Sequence, residues 1–310
     1  MSKLTEKVRA VAREAGADLV GFAPLSRFSS APPHLHPRTI FPQTRTVIAV
    51  AVRQERGALK AVEEGTYWQA YNCDSYWYLN EIIAPKILRA VVLLLEGEGH
   101  TSVPVHNPFG TNMGRKVRDD QPAGPDGLVS LRVVGVAAGL GELGHSKVFL
   151  TPQFGPRQRV FAVFTDAALE PTPLLDRPIC DGCKRCVKEC EAKAIGEMRD
   201  VKFVIEGREF SHAPFDEKAC FRIHQGHDPR FSPFWTGTEP EGATVPEYNK
   251  FLDRRFRHCA ICVGRGCLRS CLDHLETTGR IETRFTTPLI ERPRWKLPDL
   301  PEPQRPIQGS

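Results

Sequence analysis

The chain has 310 residues, 41% apolar and 25% charged, with a net charge of +5. That length predicts about two domains, and that composition excludes a globally disordered chain. The charge is too small to imply a nucleic-acid partner by itself. Leu4, Val8, Val11 and Ala12 share one side of a predicted helix over 4–15, which Gly16 ends. Asp18 to Pro24 and Thr46 to Arg53 read as buried strands, separated by a proline-rich loop over 29–44. Helical spacing runs through 72–97, and Pro85 is expected to kink that helix or start a second one. Residues 104–127 are rich in Gly, Pro, Asn and Asp and read as a long functional or mobile loop. Leu131 to Leu140 reads as a helix leading into a glycine turn. Lys147 to Leu150 and Arg159 to Thr165 read as an antiparallel strand pair. Pro171, Pro173 and Pro178 mark a linker. The expected division is an α/β domain over 1–172, a cysteine-rich domain over 173–285 and a proline-rich tail over 286–310.

The N-terminus shows no apolar signal segment, twin arginine or cleavage site, and no stretch is apolar enough to span a membrane. The expectation is a cytoplasmic protein, where thiols stay reduced. Nine of the ten cysteines fall between Cys180 and Cys271, and the tenth is Cys73. In a reducing compartment such clustering predicts metal ligands rather than disulfides.

The spacing Cys180-x2-Cys183-x2-Cys186-x3-Cys190 is the strongest signal in the chain. Three thiolates at this spacing wrap one 4Fe–4S cluster, and the fourth points to a second cluster. Zinc sites favour two separated cysteine pairs and are the weaker reading. The second cysteine group is Cys220, Cys259, Cys262, Cys267 and Cys271, in which Cys267-x3-Cys271 repeats the earlier spacing. Two clusters need eight ligands. Cys180, Cys183, Cys186 and Cys271 are assigned to one, and Cys190, Cys220, Cys262 and Cys267 to the other. Cys259 is the expected spare, with exchange against Cys262 or Cys220 left open. Glu191 and Leu272 stand where proline usually follows the last cysteine of such motifs.

The segment AGLGELGHSKVFLTPQFGPRQRVFAVFTDAALEPTP, then CDGCKRCVKEC, then Lys218-Ala219-Cys220 and the final cysteine group, resembles the superfamily of epoxyqueuosine reductase and the reductive dehalogenases. The resemblance covers roughly residues 5–275 and is strongest over 137–190. It implies a nitroreductase-like α/β (α+β) domain beside a ferredoxin-like domain with two 4Fe–4S clusters, and cobalamin as a further cofactor. The implied function is an iron–sulfur oxidoreductase that passes electrons through both clusters to a substrate. The substrate, a small molecule or a tRNA, is left open, and an external ferredoxin or flavodoxin would be the donor. Two alternatives are an electron-transfer or activator protein without a corrinoid, and a tRNA epoxyqueuosine reductase. By position in the resemblance, Asp126 is the candidate proton donor, although the neighbouring Ala-Pro signature is missing.

Gly139, Gly141 and Gly144 match G-x-G-x-x-G, but a helix precedes and a strand follows, the reverse of a dinucleotide fingerprint. Those glycines and His145 are the candidate cobalamin contacts. A plain packing turn and a satisfied structural histidine are the competing readings. Arg157 and Arg159 flank the following turn and suit either an anionic neighbour or the surface.

Overall fold

A computed structural model describes residues 2–106, 116–121, 129–228, 230–234 and 260–298. Asp126 and Cys259 lie outside the described residues. Helix α1 (Lys3–Glu14) is capped by Ser2, whose hydroxyl accepts from the amide of Thr5. It leads into β1 (Leu19–Pro24), which pairs antiparallel with β2 (Thr46–Arg53). Strand β6 (Gln158–Thr165) lies on the other side of β2, and β3 (Ser102–Val105) closes the sheet on β6. All three pairings are antiparallel, with Gly21 opposite Ala49 and Ala49 opposite Ala162.

The nearly continuous apolar run of β2 arises because both faces of the sheet are covered. One face carries Phe22, Ile48, Val50, Phe161 and Val163 against α1 and helix α3 (Ala84–Gly97). The other carries Val47, Ala49, Ala162 and Phe164 against α4 (Leu131–Ala137). Such a run is usual for parallel sheets, but two-sided cover is its physical cause.

Pro85 starts a second helix, one of the two outcomes expected for it: a π-helix over Ala70–Ile83 is followed by α3, with Pro85 in its first turn. Proline suits that position because the first-turn amide has no intrahelical partner. The strand β5 (Phe149–Leu150) does not pair with β6. It pairs with β4 (Glu142–Leu143), because the chain folds back between Thr151 and Gly155 before β6 begins. Residues 102–105, part of which was assigned to the loop, form the edge strand β3.

The expected linker is strapped along β1. Thr172 donates its amide to the Phe22 carbonyl and accepts the Phe22 amide on its hydroxyl, at 2.9 and 3.0 Å. Beyond it lie α5 (Arg185–Lys188), the hairpin β7 (Val201–Ile205) and β8 (Arg208–His212), α6 (Glu217–His224) and α7 (Cys267–Thr277). This region packs on α2 (Arg56–Glu63) through an apolar cluster that joins Leu59, Val62 and Trp68 to Ile179, Ile261 and Leu272. No helix among the described residues is long and apolar enough to cross a membrane.

Candidate metal centre

Glu142 positions the start of the cysteine motif. Its Oε1 accepts the amides of Ile179 and Cys180 at 2.8 and 2.5 Å. The chain then turns through 180–184 into α5, which carries Cys186. Helix α7 brings Cys271 to the same place from the far end of the sequence. Cys180, Cys183, Cys186 and Cys271 line one cavity of about 20 Å³, together with His145 and His274. Burial pushes the Cys186 thiol up to about 11, and repulsion from Cys180 and Cys183 adds to it. Cys271 is also raised, by burial first and then by Cys180 and Cys186.

Cys190, Cys220, Cys262 and Cys267 form a second electrostatic group. Cys267 is pushed up to about 12 by burial, then by Cys190 and Cys220. Cys262 is raised by burial, then by Cys267 and Cys220. Cys220 is raised to about 11 by burial, then by Cys190. Four of the described cysteines thus share one cavity, and the other four act on one another through space, with Cys186 acting on Cys267 and Cys267 on Cys271 between the groups. Cys73 belongs to neither.

The spacing within the sets bears on which metal fits. Among the described residues, no three of these sulfurs lie within 4.8 Å of one another; the one close group of three is Asp181, Cys183 and His274. Thiolates on tetrahedral zinc, with Zn–S near 2.3 Å, lie about 3.8 Å apart. The close group has a simpler account, since His274 Nε2 and Asp181 Oδ2 are hydrogen-bonded at 2.8 Å.

Three further side chains neighbour the thiols. Arg199 directs Nη1 at the Cys180 sulfur, 3.7 Å away. Its other groups are fixed on Leu143 and Ser211. His224 Nδ1 lies 3.8 Å from the Cys262 sulfur, and burial lowers that imidazole to about 4, so it is neutral at pH 7. Glu191 makes a buried ion pair with Arg265 at 2.6 Å. Leu272 is fully buried in the cluster that holds α7 to α2. Both residues standing in place of proline therefore have packing roles.

The glycine segment is explained within the chain. A Cβ on Gly139 would meet the Pro173 carbonyl oxygen at 2.1 Å, and one on Gly141 would meet that of Leu150 at 1.9 Å. A Cβ on Gly144 would meet the Leu150 side chain at 2.9 Å. His145 is buried, with its Nε2 on the Gly196 carbonyl at 2.9 Å. Gly144 and His145 border the first thiol cavity, whereas Gly139 and Gly141 do not line it.

No protein-family model matches the chain. A tetrachloroethene reductive dehalogenase of Desulfitobacterium hafniense is 39% identical over 101 residues, which is 31% of this chain and 18% of that protein. That of Sulfurospirillum multivorans is 42% identical over 65 residues, 20% of this chain and 13% of the relative. The match thus spans less than a fifth of these relatives. A reductive dehalogenase structure described as suggesting a mechanism for B12-dependent dehalogenation aligns with 96% of this chain and 41% of its own. The TM-score is 0.54 and the identity 14%. A catabolic reductive dehalogenase aligns with 71% of this chain and 29% of its own, at TM-score 0.52 and 17% identity. The epoxyqueuosine reductase of Streptococcus thermophilus aligns with 63% of this chain and 54% of its own, at TM-score 0.46 and 14% identity. The chain is thus similar to the reductive dehalogenases over a stretch of 101 residues and shares their fold.

Proposed function

We propose that the chain is an iron–sulfur oxidoreductase that holds two 4Fe–4S clusters. Cys180, Cys183, Cys186 and Cys271 would ligate one, and Cys190, Cys220, Cys262 and Cys267 the other. The observation that carries this reading is the convergence of Cys180, Cys183, Cys186 and Cys271 on a single cavity, with the other four thiols acting on one another through space beside it. Bound clusters would supply one-electron storage and transfer, and iron would hold as thiolates the sulfurs that burial otherwise keeps protonated. The chain's own residues then fix where electrons enter. Cys183 is exposed, so the first set reaches the surface where a ferredoxin or flavodoxin could dock, while Cys190 of the second set is buried. Nearby, Lys184 and Arg185 already pair with Glu197 and Asp273, at 3.3 and 3.1 Å. They offset charge at the motif more than they offer a free basic patch.

The residues named for cobalamin already have partners within this chain, His145 on the Gly196 carbonyl among them. Gly139 and Gly141 are closed against backbone of this chain and Gly144 against the Leu150 side chain, which favours electron transfer without a corrinoid. The competing reading, a corrinoid-dependent reductase, draws support from the B12-dependent dehalogenase that shares the fold. Anaerobic purification with iron and sulfide analysis tests the main proposal. It should give about eight irons and eight sulfides per chain; one zinc per set would overturn it. Reconstitution with cobalamin decides between the two readings, since a stoichiometric corrinoid absorbance would restore the second.

A further inference from the structure

We propose that a second cleft, separate from the thiol cavity, binds a small carboxylate with an apolar body, and that Arg157 receives the carboxylate. The cleft has a volume of about 610 Å³, within the range of small-molecule sites. Its apolar walls include Tyr78, Leu79 and Ile83 from the π-helix, Phe154 from the turn before β6, and Phe285 from beyond α7. The occupant is not specified by what the thiols hold, so the inference stands apart from the cluster assignment.

The charges around the cleft single out one group. Arg56 lines it but is spent on Glu276, with Nε and Nη2 donating to the two carboxylate oxygens at 3.0 and 2.9 Å. Arg53 pairs with Asp18 at 3.4 Å, and the same carboxylate accepts the Arg53 amide. Glu55 accepts the hydroxyl of Ser75. Arg157 lines the cleft at 3% exposure and forms no ion pair among the described residues. Its Nε has no hydrogen-bond partner. Glu276 and Glu55 act on it only through space.

Arg157 is nevertheless held firmly. Its Nη1 donates to the Gln54 carbonyl at 2.6 Å, and its own carbonyl accepts the Gln54 amide at 2.9 Å. Its guanidinium sits 5.3 Å from the centre of the Phe285 ring. A buried cation costs desolvation unless something pairs with it. A guanidinium fixed this way presents a planar fork that matches a carboxylate. The π-helix wall is a second, independent sign, because π-helical turns are rare and concentrate at functional sites.

The test uses the full chain, purified anaerobically with its metal content measured, and two probes: 3-phenylpropanoate and its neutral amide. Saturation-transfer NMR and calorimetry should show the acid binding at least about tenfold more tightly, as for a charge-assisted hydrogen bond. Arg157→Gln should remove that preference. Should Arg157→Gln fail to fold, Phe285→Ala, at a half-exposed ring, should weaken the acid several-fold while leaving the fold intact. Equal binding of acid and amide, or no saturation transfer at millimolar acid, would overturn the proposal whatever the iron content.

Discussion

At the scale of the residue, Arg199 is the group that the thiol geometry makes most consequential. Two of its nitrogens, Nε and Nη2, make three hydrogen bonds to Leu143 and Ser211, and the remaining Nη1 points at Cys180. A hydrogen bond and a positive charge at a ligand sulfur both stabilise the reduced, more negative form of a cluster. On the function proposed above, Arg199→Gln should make reduction of the first cluster about tenfold less favourable, a fall of about 59 mV for a one-electron couple. An EPR-monitored redox titration checks this, and the second cluster should not move. Unchanged potentials would assign Arg199 to holding β8 alone. Nothing in the sequence marked this arginine, since it lies beyond the cysteine motif and meets Cys180 only through the fold. The cysteines were legible because ligand spacing is local. Glu191 and Leu272 were legible only as departures from a pattern. Their reason is tertiary: one pairs with Arg265 and the other fills the interface with α2.

At the scale of the element, Gly264 shows how closely the second set of thiols is pressed onto the sheet domain. A Cβ there would lie 2.3 Å from the Glu63 amide nitrogen and 2.5 Å from the Val62 carbonyl carbon. The obstacle is backbone, so the turn over 260–266 must move away from the end of α2. Cys262 precedes Gly264 by two residues and Cys267 opens α7, so both ligands would shift. Gly264→Ala should therefore lose the second cluster and about half of the iron while the first remains; full retention of iron would contradict this. Elements with strong periodic signals were readable: α1, β1, β2, α4 and β6 appear where apolar spacing put them. Their pairing was less so. Short separation suggested that β5 joins β6, but Thr151 and Gly155 close a bridge that sends β5 to β4 instead. The π-helix was unreadable because its apolar residues fit an ordinary helical period nearly as well. Sequence patterning does not separate the two hydrogen-bond registers.

At the scale of the whole molecule, the two sets of thiols cross on the assignment proposed above. Cys190 belongs by sequence to the first motif but acts through space on Cys220, Cys262 and Cys267. Cys271 belongs to the last group but lines the cavity of Cys180, Cys183 and Cys186. Neither segment can complete a site alone, so filling either site ties α5 and α7 together, beside the contact they already share through Arg185 and Asp273. An uncrossed arrangement would make each motif an independent unit. The two arrangements predict opposite outcomes for one pair of variants. If the sets cross, Cys190→Ser should disturb the cluster of the second set and leave the signal of the Arg199-linked cluster at its normal potential. Cys271→Ser should do the reverse. If the motifs were independent, Cys190→Ser would strike the Arg199-linked cluster instead. EPR of the two variants, with the Arg199→Gln shift as the label for the first cluster, separates these cases. Hydrogen exchange adds a structural readout: stripping the metal should speed exchange in 180–190 and 267–277 together, and leave β2 and β6 protected within their covered sheet.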